Sequence, residues 1–235
     1  MLDETTKQRL LDNAASWFRD ELAAAHLSKV SDLKSLSQFN VNPFLLPYLA
    51  NFLEGEATPE ALAKALIYPR VLGTSITTSF GSRIQGLITR LFDGVLGSQI
   101  SGMDIEFTDQ LDGRKKYCQL KAGPNIINAD DVPVILGNFR SARNLARANH
   151  VDVGLDDYVF GLIYGTEAEL NQFIRTIGED HKVLVGKDFW HHLTGEENFY
   201  QSLIDRVAAV AQEFDGRTVL EEAIARLAED ISRNL

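Results

Sequence analysis

The stretch "SGMDIEFTDQLDGRKKYCQLKAGPNIIN", residues 101–128, decides the reading of this chain. Met103, Ile105 and Phe107 alternate with Asp104, Glu106 and Thr108, and Cys118, Leu120 and Ala122 alternate with Tyr117, Gln119 and Lys121. Strict alternation is the mark of a half-buried strand, and Asp112-Gly113 between the two runs supplies a turn, so the stretch is expected to form a hairpin. Side chains two residues apart share a strand face, and neighbouring strands lie about 4.8 Å apart. One face therefore collects Asp104, Glu106, Gln119 and Lys121. The opposite face, Met103, Ile105, Phe107, Cys118 and Leu120, is expected to be core.

Oxygen ligands at that separation suit Mg²⁺, which takes one or two carboxylates and accepts phosphate oxygens as further ligands. A lysine beside them could stabilise charge on a phosphate or hold the attacking water. The face is therefore a phosphodiester hydrolysis site in outline, against the plainer reading of a solvated hairpin with weakly paired charges. After Lys121, a Gly-Pro break leads to Asn125 and Asn128, which can bond a base edge or a phosphate. The next helix carries Arg140, Arg143 and Arg147 on one stripe beside the apolar stripe of Ile135, Phe139, Ala142 and Ala146.

The net charge of −10 taken alone argues against a phosphate-rich partner. Its distribution does not. Residues 151–235 carry 17 acids and 7 bases, the whole of the excess, whereas residues 114–147 carry seven bases, among them Lys116, against Asp130 and Asp131. Screening confines a charge's reach to about 8–10 Å, so local potential governs an anionic ligand.

Around the hairpin the pattern is helical on the N-terminal side and mixed after it. Residues 3 to 95 read as helices broken near Pro43, Pro47 and Pro69. A helix capped by Asp130 or Asp131 should follow the hairpin. Then come a buried strand in "DDYVFGLIYG", a helix in "TEAELNQFIRTIGE" with Thr166 and Glu169 as capping box, a strand in "KVLVG", and closing helices. This order predicts an α/β core with a mixed sheet. The domains are expected as a helical N-terminal region at 1–75 that serves dimerisation or embraces DNA, a core at 76–215, and a C-terminal helix at 216–235 packed on that core.

No stretch approaches the roughly 18 apolar residues of a membrane span, and the acidic, amphipathic start lacks the apolar run of a secretory signal; a cytoplasmic location is expected. One cysteine, Cys118, excludes an intramolecular disulfide, and no Cys/His cluster offers zinc ligation. Walker A, Rossmann, HExxH and GxSxG patterns are absent. His191 and His192 point about 100° apart on a helix, which favours a structural or phosphate-contacting role over a shared catalytic one.

"GMDIEF" followed by "YCQLKAGPNIIN" resembles the Asp and (Asp/Glu)-x-Lys motifs of the PD-(D/E)XK nuclease superfamily, in the version found in type II restriction endonucleases. "QLKAGPN" is similar to enzymes cutting GGNCC or GGWCC sites, and "FWHHLTGEENFY", 189–200, looks like a block recurrent among them. The resemblance covers about 75–210. It implies a PD-(D/E)XK core flanked by helices, a Mg²⁺-dependent homodimer cutting double-stranded DNA at a palindrome, and a cognate methyltransferase encoded alongside but not binding. It further implies that Asp104 binds metal, that the acidic position falls on Gln119, and that Lys121 is the catalytic lysine. An upstream helical acid of many relatives falls on Gln85 in "TSFGSRIQG".

Both departures replace an acid by an amide. A glutamine carbonyl can ligate Mg²⁺ but adds no charge, so Glu106 is expected to restore the second carboxylate. A repair nuclease on the same core, a non-catalytic DNA-binding protein with a degenerate metal site, and an acidic helical scaffold are the rival expectations.

Overall fold

The computed structural model describes residues 2–92 and 94–234; Met1, Asp93 and Leu235 lie outside the described residues. In chain order the main elements are α1 (Glu4–Trp17), α2 (Ala24–Ser31), α3 (Leu46–Glu54), α4 (Pro59–Pro69), α5 (Ile76–Leu91), β1 (Leu96–Gly97), β2 (Ile105–Thr108) and β3 (Lys115–Lys121). They continue with α6 (Asp131–Ala148), β4 (Tyr158–Leu162), α7 (Gln172–Gly178), β5 (Lys182–Val185), α8 (Lys187–Thr194), α9 (Phe199–Ala211) and α10 (Arg217–Asn234). The chain divides into two compact units.

The first unit holds the residues up to Ala15 together with Arg83–Ala208. Its centre is one sheet in the order β1-β2-β3-β4-β5, antiparallel through β3 and parallel from β3 to β5, so the expected α/β class with a mixed sheet holds. The hairpin register pairs Ile105 with Cys118 and Phe107 with Lys116. Its turn is held by Asp109 N–H donating to Arg114 O and by Gly113 at φ 71°, a left-handed conformation that a Cβ disfavours. Ile105, Phe107, Cys118 and Leu120 are buried as expected.

Strand β2 begins only at Ile105. Met103 lies before it and joins the cluster of Ile135, Phe139, Tyr158, Phe160, Leu162, Ile174 and Ile177, beneath α6 and α7. This departs from strict alternation, because Gly102 at φ 83° turns the chain and frees Met103 from strand parity. Burying such a side chain contributes about 1.5–3 kcal/mol, enough to decide its direction.

Helix α6 is capped by neither predicted aspartate oxygen alone. Asn128 Oδ1 accepts from the amides of Asp130 and Asp131, and Asp131 Oδ2 accepts from Asn128 N–H, a reciprocal arrangement of the capping-box kind. The predicted box of Thr166 and Glu169 is present, but it closes a single 3₁₀ turn. Helix α7 starts instead at Asn171, whose side chain accepts from Phe173 and Ile174.

The second unit holds Ser16–Ser82 and the chain from Ala209 onward. Its core sets Val30, Leu33, Ala63, Ile67 and Val71 against Ala223, Ile224, Leu227 and Ile231. The closing helix α10 therefore packs on α4, which corrects the expectation that 216–235 covers the α/β core. Its apolar face, at 223, 224, 227 and 231, matches the small-residue face of α4 rather than the sheet. The boundary expected near 75 also shifts, since the first fifteen residues group with the sheet. After Pro69, which has no N–H to donate, the helix widens into a π turn over Arg70–Ser75.

Candidate active site

The sheet places Asp104 immediately before β2, opposite Gln119 of β3. Asp104 N–H donates to Cys118 O at 2.9 Å, and Leu120 N–H donates to Asp104 Oδ2 at 2.6 Å. Main chain and side chain of one residue thus straddle Gln119, so the aspartate is locked to the strand that carries the other candidate groups. Burial pushes the Asp104 carboxyl above its ordinary value, against the opposing pull of the Leu120 amide and the Lys121 ammonium.

Gln119 is 9% exposed, and its Oε1 is buried with no hydrogen-bond partner among the described residues. An unsatisfied buried carbonyl costs about 1–3 kcal/mol, which makes this oxygen a candidate donor to a ligand. The side chain of Lys121, half-buried at the end of β3, makes no hydrogen bond or ion pair among the described residues beyond its electrostatic pull on Asp104. Asp104, Gln119 and Lys121 therefore form one group, two oxygen donors and an ammonium with unspent bonding capacity.

Gln85 comes to the same place from α5. Its Nε2 donates to the main-chain carbonyl of Asp104 at 2.6 Å. A carboxylate could not make this bond, so the amide at 85 suits the position it occupies.

Glu106, expected as the compensating carboxylate, is committed elsewhere. Its Oε1 accepts from Ser98 Oγ at 2.7 Å and its Oε2 meets Lys115 Nζ at 2.6 Å. Burial alone would raise its pKa, but the Lys115 ammonium and the Ser98 hydroxyl outweigh that and hold the carboxyl below its ordinary value. The reason is register: Glu106 lies opposite Tyr117 on β3 and opposite Leu96 on β1, one step further along the sheet than Asp104. No group of three or more His, Cys, Asp or Glu side chains able to hold a metal occurs among the described residues.

Lys116, expected among the DNA-contacting bases, is 1% exposed. It donates to Asp112 at 2.6 Å and Asp157 at 2.8 Å, and Asp157 also takes Arg114 Nε at 3.0 Å on each oxygen. The Arg114 guanidinium foremost, against the opposing effect of burial, holds the Asp157 carboxyl well below the usual range. Lys116 is thus a structural cation, and the partner that decides this lies 41 residues away. Of the other expected DNA contacts, Asn125, Arg140 and Arg147 are exposed, Arg143 is half-buried with an unpartnered Nε, and Asn128 spends its carbonyl on the α6 cap.

Sequence reasoning missed Tyr164, just after β4. A Cβ at Gly123 would collide with the Tyr164 ring, and one at Gly165 would crowd Pro124, so the "AGP" bend after Lys121 is packed through its missing side chains. Only the Gly-Pro break hinted at it. His192, by contrast, is structural as expected: Nδ1 pairs with the fully buried Asp109 at 2.7 Å. Trp190 is buried and donates to Ile163 O.

A mixed sheet with Asp104 just before β2 and Lys121 at the end of the adjoining β3 fits what the family comparison finds. The model of the type II restriction endonuclease EcoO109I matches residues 12–215. The chain belongs to that family. No curated protein matches it. As a type II restriction endonuclease it is a site-specific deoxyribonuclease, and its family implies binding to double-stranded DNA. This favours the enzyme over the non-catalytic binder and the acidic scaffold. No described helix is long and apolar enough to cross a membrane.

Proposed function

We propose that this restriction endonuclease uses a PD-(D/E)XK site in which Asp104 and Gln119 hold Mg²⁺ and Lys121 acts on the scissile phosphate. The orphaned Gln119 Oε1 beside Asp104 carries this reading: one carboxylate and one neutral carbonyl suit a cation that keeps several waters. When bound, Mg²⁺ supplies Lewis acidity at the phosphate and lowers the pKa of a water. Asp104 contributes the negative charge and is oriented by Leu120 N–H and, through its own carbonyl, by Gln85. Gln119 contributes an oxygen without charge. Lys121 places its ammonium, which has no hydrogen bond among the described residues, where charge develops on the phosphate, an electrostatic contribution. Glu106 is left outside the metal set and braces the strand through Lys115 and Ser98.

The products are 5′-phosphate and 3′-hydroxyl ends. The substrate is a short palindrome of GGNCC type read by a homodimer, each subunit taking one half. Asn125, Arg140, Arg143 and Arg147 are the proposed DNA contacts, with arginine to guanine O6/N7 the pairing that carries discrimination, about 1–3 kcal/mol for a bidentate contact. A cognate methyltransferase is encoded alongside and acts apart from it, in the cytoplasm. Digestion of plasmid DNA with and without Mg²⁺, followed by sequencing of the ends, tests the reading. Discrete fragments with a common terminal sequence support it. Random fragments, or cutting only at damaged or branched DNA, would favour a repair nuclease.

A further inference from the structure

We infer that the Tyr164 phenol is a further substrate contact of this endonuclease, its O–H donating to the DNA backbone phosphate next to the one that is cut. The inference rests on the reading that Lys121 acts on the scissile phosphate, and it adds a residue from outside the hairpin. Strand β3 pairs with β4 in parallel, with Lys121 beside Leu162. The pairing runs on past both strand ends, where Ile163 N–H donates to Lys121 O at 3.2 Å and Tyr164 N–H to Ala122 O at 3.1 Å. Two residues on from Lys121 and Leu162, the same register sets Gly123 beside Tyr164. A Cβ at Gly123 would lie 2.6 Å from the phenol oxygen, so that oxygen fills the space a side chain at 123 would have taken. Positions 119, 121 and 123 share one strand parity, which sets the phenol about 6.5 Å along the face from Lys121.

Tyr164 is 46% exposed, and among the described residues of the first unit it is the one exposed aromatic. Its main chain is fixed from several sides. Trp190 Nε1 donates to Ile163 O at 2.9 Å, and Gly186 N–H donates to Leu162 O at 2.9 Å. Gly165, at φ 106°, approaches Pro124 so closely that a Cβ there would meet its ring at 2.8 Å. A ring seated over a glycine on a fixed main chain loses little entropy when its hydroxyl meets a ligand. Successive phosphates of a DNA strand are one sugar–phosphate unit apart, a reach comparable to two residues of a β-strand. A DNA strand that follows this face with its cut phosphate at Lys121 therefore brings the neighbouring phosphate to position 123. A phenol donates one hydrogen bond to such an oxygen and carries no charge. It fixes the register of the DNA without adding to the counterion release that lysine and arginine supply.

The test is a cycle between one hydroxyl and one phosphate. Duplexes with the mapped site are made with a single uncharged methylphosphonate in place of the phosphate on the 5′ or the 3′ side of the cut. Parent and Tyr164→Phe are compared on each, by kcat/KM in Mg²⁺ and by metal-free binding at several salt concentrations. Phenylalanine keeps the ring over Gly123, so the packing stays and the hydroxyl alone goes. On unmodified DNA, Tyr164→Phe should lower kcat/KM about 10- to 100-fold, the loss of one hydrogen bond to a charged group, and leave the salt dependence of binding unchanged. At one of the two modified positions Tyr164→Phe should lose about tenfold less than the parent loses, because both changes remove the same bond. Additive losses at both positions overturn the inference. So does a Tyr164→Phe enzyme that binds and cuts like its parent, the result expected if the ring only stacks on a base. The metal-free arm reads the contact apart from the chemistry. A Lys121→Ala enzyme that cuts normally sinks the metal-site reading and leaves the cycle standing, whereas additive losses beside an inactive Lys121→Ala remove this contact alone.

Discussion

The side-chain amide of Gln85 donates to the main-chain carbonyl of Asp104 across 2.6 Å, tying a helix to the residue proposed to bind metal. Losing one such bond costs about 0.5–1.5 kcal/mol, a factor of about 3–10 in rate if the bond serves only the reactive geometry. Gln85→Ala should therefore slow single-turnover cleavage by about that factor. Gln85→Glu should be slower still, because it removes the donor and sets a second oxygen against the carbonyl. A Gln85→Glu enzyme as fast as its parent would show that the bond positions nothing.

Gln119→Glu adds a charge where the metal set has only one. The Mg²⁺ concentration for half-maximal cleavage should fall by roughly tenfold, a modest share of the ~4 kcal/mol that adjacent opposite charges are worth near a protein surface. A Mg²⁺ titration of both enzymes reads this directly. An unchanged midpoint would place Gln119 away from the ion.

Asp104 titrates high because it is buried. Its carboxyl keeps its proton to a higher pH than a free aspartate, so a proton competes with the cation there. As pH falls towards the ordinary carboxylate range, the Mg²⁺ requirement should rise, and the rise should begin above that range. The sign for stability is opposite: burial disfavours the charged form, so this carboxyl favours the fold when protonated and loses that contribution as pH rises. Cleavage and thermal unfolding measured over the same pH series separate the two.

Glu106 and Asp157 differ in what they support. Glu106→Gln should keep cleavage within a few-fold of the parent, because its partners Lys115 and Ser98 lie outside the proposed metal set. Asp157→Ala should lower unfolding free energy by about 3 kcal/mol, since it removes the carboxylate shared by Arg114 and the buried Lys116 and leaves Lys116 to Asp112. The depressed pKa of Asp157 means its stabilisation is complete above the usual aspartate range and is lost as pH falls into strong acid. Denaturant unfolding at neutral and acid pH checks both.

What was legible in the sequence is what short range decides. Period-two alternation gave the hairpin, its buried face at Ile105, Phe107, Cys118 and Leu120, and the meeting of Asp104, Gln119 and Lys121, because strand parity is local. Lys116 was misread because its burial depends on Asp157, and α10 because its apolar stripe fits α4 as readily as a sheet. Glu106 has the right parity, but parity does not say which neighbour it meets: β1 brings Ser98 and the strand end brings Lys115. Asn128 was assigned to DNA when the helix behind it needed a cap. Nonlocal partners and competing local bonds account for each miss.

The central claim is that Lys121 acts on the scissile phosphate at an Asp104–Gln119 metal site. The most direct measurement compares parent and Lys121→Ala on duplex DNA carrying the mapped site, with binding and cleavage followed separately in Mg²⁺. The account predicts that Lys121→Ala binds this DNA within about tenfold of the parent and cuts at least about 10²-fold more slowly, the scale of losing one preorganised stabilising group. A Lys121→Ala enzyme that cuts like its parent would contradict it.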